Sequence, residues 1–171
     1  MARNIYGGGA KTNYHGLKFE QETDLISALE AIGCTVKDAN VYIGPHHIGV
    51  VGSKYKFIRN ILEPINIDIN ILSKKLLPDE AFFNLNTSTV YILEKKFQHL
   101  AGSVDEKLQT CDFKKKQYQR LFERHDIQVE YCYICNDWFR HPQYRDVIDY
   151  IHSVGCHIFF NEIPLEYMGI L

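Results

Sequence analysis

The stretch LLPDEAFFNLNTSTVYILEKKFQ, residues 76–98, decides how the rest of the chain is read. Val90, Tyr91, Ile92 and Leu93 form a continuous apolar run, the pattern of a strand buried on both faces. The run passes without a break into Glu94, Lys95 and Lys96. Upstream, residues 80–84 read as a second strand, joined to the first by the turn-rich LNTST, so the spacing predicts a β-hairpin.

A hairpin has consequences for the charged residues. Strand side chains alternate between faces, so Glu94 and Lys96 project from one face and Lys95 from the other. Fourteen residues separate Asp79 from Glu94, and folding them back on themselves brings Asp79 beside Glu94 and Lys96. Two carboxylates and an ammonium then meet at one sheet edge. Buried charges are costly unless paired or metal-bound, so a site explains them better than a core does. Carboxylate oxygens suit Mg²⁺, with Mn²⁺ as a substitute. Such an ion acidifies a bound water and offsets charge building on a phosphate. A lysine beside it can hydrogen-bond the attacking water.

Working outward, the sequence reads as one domain over residues 1–171, with no repeat, linker or low-complexity segment. Hydrophobic residues make up 46% and charged residues 23%, which excludes a disordered chain. No run is long enough to span a membrane, and the first residues lack the apolar core of a signal peptide. Five cysteines at irregular spacings favour reduced thiols and an intracellular, cytoplasmic protein. Net charge is −2, but the basic residues are segregated. Residues 95–124 carry Lys95, Lys96, Lys107, Lys114, Lys115, Lys116, Arg120 and Arg124, and nothing after Arg145 is Lys or Arg.

The periodicity predicts a helix over residues 19–33, ended by Gly33, and a strand within 34–44. Short helices are expected around Tyr55–Leu62 and Ile69–Leu76. Ser103 and Glu106 form a capping box, followed by a helical stripe to about residue 125. IQVEYCYICND is a strand, HPQYRDVIDYIHSVG a helix and CHIFFN a strand. A hairpin followed by β-α-β alternation predicts an α/β fold, a mixed β-sheet flanked by helices.

Pro78-Asp79, fourteen residues, then Glu94-Lys95-Lys96 resembles the PD-(D/E)XK nuclease superfamily. LEKKFQHLAGSVDEKLQTCDFKKKQYQRLF is similar to a group of type II restriction endonucleases within it, and the resemblance extends over about residues 16–160. It implies a restriction-endonuclease-like core, with Asp79 and Glu94 as metal ligands and Lys96 assisting the nucleophile. A Glu from the first helix joins the metal shell in many family members, which makes Glu20 a candidate ligand. Alternatively, Glu20 is an acid favoured by the helix macrodipole. Lys95 stands where the family often has an apolar residue; its side chain should face away, leaving its backbone carbonyl as a candidate ligand.

Other candidates rest on position alone. Gln98 shares the face of Glu94 and Lys96 and suits either water or phosphate contact or a core hydrogen bond. Lys107, Lys114 and Lys116 are placed to reach DNA phosphates, with a solvated helix face as the alternative for at least one. Residues 1–15, including Lys11 and Asn13, suit a flexible DNA-contacting arm; GGGAKT lacks phosphate-loop spacing. Cys132 and Cys135 fall on opposite faces of an apolar strand and read as core, not zinc ligands. His46 and His47 read as a loop near DNA.

The expectation is a Mg²⁺-dependent, type II restriction endonuclease cutting double-stranded DNA at a specific sequence, as a homodimer with one active site per strand. A structure-selective nuclease (a Holliday-junction resolvase or repair enzyme), the small cleavage subunit of a heterodimeric restriction enzyme, and a catalytically silent DNA-binding module are the alternatives. Neither the recognition sequence nor the base-reading residues are legible.

Overall fold

The hairpin at residues 80–96 lies inside a seven-stranded sheet, in a computed structural model that describes residues 16–170. The strands are β1 (Gly16–Lys18), β2 (Thr35–Lys37), β3 (Asn40–Ile43), β4 (His46–Gly52), β5 (Glu80–Asn84), β6 (Thr89–Lys96), β7 (Gln128–Cys135), β8 (His157–Phe160) and β9 (Glu162–Pro164). The helices are α1 (Leu25–Ala31), α2 (Tyr55–Phe57, running into a π turn at Ile58–Leu62), α3 (Val104–Leu108), α4 (Cys111–Phe122) and α5 (Arg145–Ser153). Lys11, Asn13 and the N-terminal arm lie outside the described residues.

The sheet runs β2-β3-β4-β5-β6-β7-β8. From β2 to β6 it is an antiparallel meander; β6-β7 and β7-β8 are parallel. Parallel neighbours need a crossover, and the helical segments α3–α4 and α5 supply them. The expected mixed sheet flanked by helices is the architecture found.

Period-two alternation sorts the core into two layers. Ala81, Phe83, Val90, Ile92, Tyr131 and Tyr133 join the cluster under α4 and α5. Phe82, Tyr91, Leu93, Cys132 and Ile134 join the opposite cluster, with α1 and the two-stranded ribbon β1–β9. A one-residue slip of β6 would exchange these sets, so the apolar pattern fixes the register. Gly49 on β4 reinforces it, because a Cβ there would run into the Phe82 ring and the Phe83 carbonyl. Cys132 and Cys135 are buried in opposite layers, and all five cysteines are free and buried.

Several boundaries differ from expectation. The first helix is short: Asp24 accepts a hydrogen bond from Ser27 N at 2.7 Å and caps α1 there, while residues 16–18 pair with β9. The strand expected in 34–44 is a hairpin, β2–β3, turned at Asp38 and Ala39, which both take positive φ (46° and 70°). His46 and His47 open strand β4 rather than forming a loop. Only Ile69–Ile71 is helical in the 69–76 stretch. The long helix is broken into α3 and α4, and Ser103, though N-cap of α3, makes no side-chain capping bond. No helix among the described residues is long and apolar enough to cross a membrane.

Candidate active site

The open end of the β5–β6 hairpin gathers the charges. Glu80 pairs with Leu93, which leaves Asp79, just before β5, opposite the end of β6. Lys95 N–H donates to Asp79 Oδ2 at 3.0 Å and fixes that carboxylate. Lys96 Nζ stands 3.3 Å from Glu94 Oε2, 3.9 Å from Asp79 Oδ2 and 3.3 Å from the Lys95 carbonyl oxygen. Three oxygens from two strand ends thus surround one ammonium.

The layer beneath explains why Glu94 stays there. β6 and β7 are parallel with Glu94 opposite Tyr133, so Glu94 stands on the face filled by Tyr131 and Tyr133 and covered by α4. Its side chain is only 9% exposed, and α4 brings Lys114 Nζ to 4.0 Å from Glu94 Oε2. Removing one partner of such a buried charge group leaves the others uncompensated.

A third lysine arrives from the far side of Asp79. Lys54 Nζ pairs with Asp79 Oδ1, while Lys54 N–H donates to the Pro78 carbonyl at 2.9 Å. Burial pushes the Asp79 carboxyl up, but the Lys54 hydrogen bond, the Lys95 N–H and the charge of Lys96 outweigh it, holding the group below its ordinary value of 3.8. Two carboxylates therefore face three ammoniums. Lys54 occupies this position in a turn closed by Lys56 N–H to the Ser53 carbonyl at 2.8 Å, with φ 49° and ψ −126°. These are the angles of the first central residue of a type II′ turn, a glycine position, and a side chain there costs about 1–3 kcal/mol.

Lys95 serves the opposite face. Its Nζ donates to the Thr23 carbonyl at 2.9 Å and lies 3.5 Å from Glu80 Oε1, which also accepts from Leu25 N at 3.4 Å. This cluster ties the start of α1 to the sheet. Burial raises the Glu80 carboxyl above its ordinary value of 4.5, against the opposing pull of Lys95.

A divalent ion of the Mg²⁺ type would find a suitable donor set here. Asp79 Oδ2, Glu94 Oε2 and the Lys95 carbonyl are all hard oxygens, and they already converge on a cation, the Lys96 ammonium. Among the described residues no cluster of three or more His, Cys, Asp or Glu side chains forms a metal site, so the set is two carboxylates and a carbonyl.

No protein-family model and no curated protein matches the sequence. One solved structure, MunI restriction endonuclease in complex with cognate DNA, is similar to it. The likeness covers 72% of this chain and 78% of that one, at 15% identity and a TM-score of 0.41. The two chains share only part of their course at that score, and the residue roles proposed below come from this chain's own geometry.

The remaining candidates are distributed unevenly around the site. Glu20 is exposed in the loop between β1 and α1, not on the first helix, and forms no metal-holding cluster with Asp79 and Glu94. The capping of α1 by Asp24 displaces it from the helix. Gln98 lies beyond the end of β6 and closes a loop: its Nε2 donates to the Leu100 carbonyl at 2.6 Å, and its backbone is held by Asn136 at 3.2 and 2.7 Å. Its buried Oε1 has no hydrogen-bond partner among the described residues. Lys114 joins the site; Lys107 is exposed on α3; Lys116 is tied to Asp112 at 2.8 Å, one helical turn away. Lys54 was missed by sequence reasoning. Its only local signal is the turn after Gly52-Ser53, and a lysine is not what a type II′ turn advertises.

Proposed function

We propose that this protein is a Mg²⁺-dependent endonuclease that hydrolyses phosphodiester bonds of double-stranded DNA at a specific sequence, as type II restriction enzymes do. The observation that carries this reading is the convergence of Asp79, Glu94 and the Lys95 carbonyl on Lys96 at the open end of the hairpin. Asp79 and Glu94 would hold the metal, with the Lys95 carbonyl as third donor. Bound Mg²⁺ supplies acidity to water and positive charge to the phosphate. Lys96 donates hydrogen bonds, orienting the attacking water and stabilising charge on the phosphate oxygens. Lys114 adds a second fixed positive charge on the same side, and the low exposure of Glu94 strengthens these interactions by keeping bulk water away. Lys107 and Lys116, on the α3 and α4 surface, reach the DNA backbone further out.

Cutting both strands requires two such sites, so the working form is a homodimer with one site per strand. Light scattering with and without a DNA duplex tests this; a monomer in both states that only nicks DNA points to a separate partner subunit.

The function is tested by digesting plasmid of known sequence with Mg²⁺, then mapping the ends. Discrete fragments with common ends are expected, Mn²⁺ should substitute, and EDTA should abolish cutting. Cleavage confined to cruciforms would mean a resolvase. DNA binding without cleavage under any divalent ion would mean a silent binding module.

A further inference from the structure

The turn at residues 53–56 places a lysine where a glycine would be relaxed. Lys54 takes φ 49° and ψ −126°, and its N–H is pinned to the Pro78 carbonyl, next to Asp79. Its side chain is 60% exposed, so packing does not hold it there. What the side chain does make is the ion pair with Asp79 Oδ1, on the opposite side of that carboxylate from Lys96, which faces Oδ2. Backbone strain at an exposed residue whose one polar side-chain contact among the described residues is a proposed metal ligand marks a residue kept for its charge.

We propose that Lys54 is a further substrate-binding residue of this centre, a phosphate-contacting lysine parked on Asp79 in the free protein. The inference rests on the metal-dependent nuclease reading. While Lys54 sits on Oδ1, its ammonium competes with a divalent cation for the same carboxylate. When cation and duplex arrive together, Lys54 is displaced from Asp79 and pairs with a backbone phosphate beside the site. Its exposed, long side chain permits that swing, whereas its pinned backbone keeps the ammonium within reach. The site is thereby biased against holding metal until DNA is present, since only DNA offers Lys54 a second anion.

The test uses the full-length protein, with Lys54→Gly and Lys54→Met. Lys54→Gly relaxes the turn and should melt at or above the wild-type temperature; Lys54→Met keeps the side-chain bulk and provides the same readouts should the glycine variant fail to fold. Mn²⁺ binding to DNA-free protein is followed by electron paramagnetic resonance. Either variant should bind Mn²⁺ up to about fivefold more tightly, the range available to an ion pair with one exposed partner. Binding of a DNA duplex in Ca²⁺ should weaken, and its salt-dependence slope should fall by about one. Unchanged Mn²⁺ affinity together with an unchanged salt slope would overturn the role of Lys54 while leaving the nuclease reading intact. A wild-type protein that binds neither Mn²⁺ nor duplex would overturn both.

Discussion

The two ends of the β5–β6 hairpin bury polar groups in opposite ways. At the turn end Asn84 is fully buried, and four hydrogen bonds satisfy its amide: Nδ2 donates to the Met168 and Gly169 carbonyls, both at 2.9 Å, and Oδ1 accepts from Asn86 N at 2.9 Å and Thr87 N at 3.2 Å. Every partner is backbone, and the residue ties the turn to the C-terminal segment. At the open end Asp79, Glu94, Lys54, Lys96 and Lys114 face one another mainly as charges, at separations up to 4.0 Å, with a strained turn among them and the Lys95 backbone as the polar neighbour of Asp79 and Lys96. A polar group placed for stability ends in a closed set of short bonds. One placed for chemistry leaves lone pairs and protons free for a ligand.

Substitutions should separate the two ends. The largest effect expected is on cleavage: Asp79→Ala and Glu94→Ala should each slow it by at least about a hundredfold in a protein that still folds, at some cost in melting temperature. A loss of folding as large as the loss of rate would make the open end structural after all. Asn84→Ala should do the reverse, destabilising the protein by about 3 kcal/mol through the stranded backbone groups and leaving the cleavage rate of folded protein unchanged. Chemical denaturation alongside single-turnover kinetics reads both quantities.

A finer contrast lies between neighbouring acids. Asp79 titrates below 3.8 and Glu80 above 4.5. A carboxyl with a lowered folded-state pKa contributes stability above its unfolded value, lost as pH falls through the folded one. Asp79→Asn should therefore weaken the protein at neutral pH and remove this part of the acid-induced loss. Glu80 has the opposite sign: its raised pKa opposes folding at neutral pH and ceases to do so as pH falls through the raised value. Carboxyl ¹³C titration of metal-free protein checks both directions, and a Glu80 shift below 4.5 would mean that Lys95 outweighs burial.

The sequence carried the hairpin, its register and the meeting of Asp79, Glu94 and Lys96, because continuous apolar runs and period-two alternation are local signals. What it did not carry depends on distant or unusual backbone. Residues 16–18 form a strand by pairing with the distant β9, and α1 starts only after the Asp24 cap, which leaves Glu20 in the loop between them. The turn at Asp38-Ala39 and the one at Lys54 both use positive φ at residues other than glycine, so the usual turn vocabulary did not announce them. Lys54 reached the site through such a turn.

The smallest structural change, one position along β6, is the most decisive. Lys96→Ala and Lys95→Ala should be compared in single-turnover cleavage of one duplex in Mg²⁺, each with its melting curve. Lys96 faces the two carboxylates and Lys95 faces Thr23 and Glu80. Lys96→Ala should therefore abolish cleavage in a folded protein, while Lys95→Ala should lose some stability and keep most of its rate. An essential Lys95 beside a dispensable Lys96 would contradict the placement of the catalytic centre on this face of the hairpin.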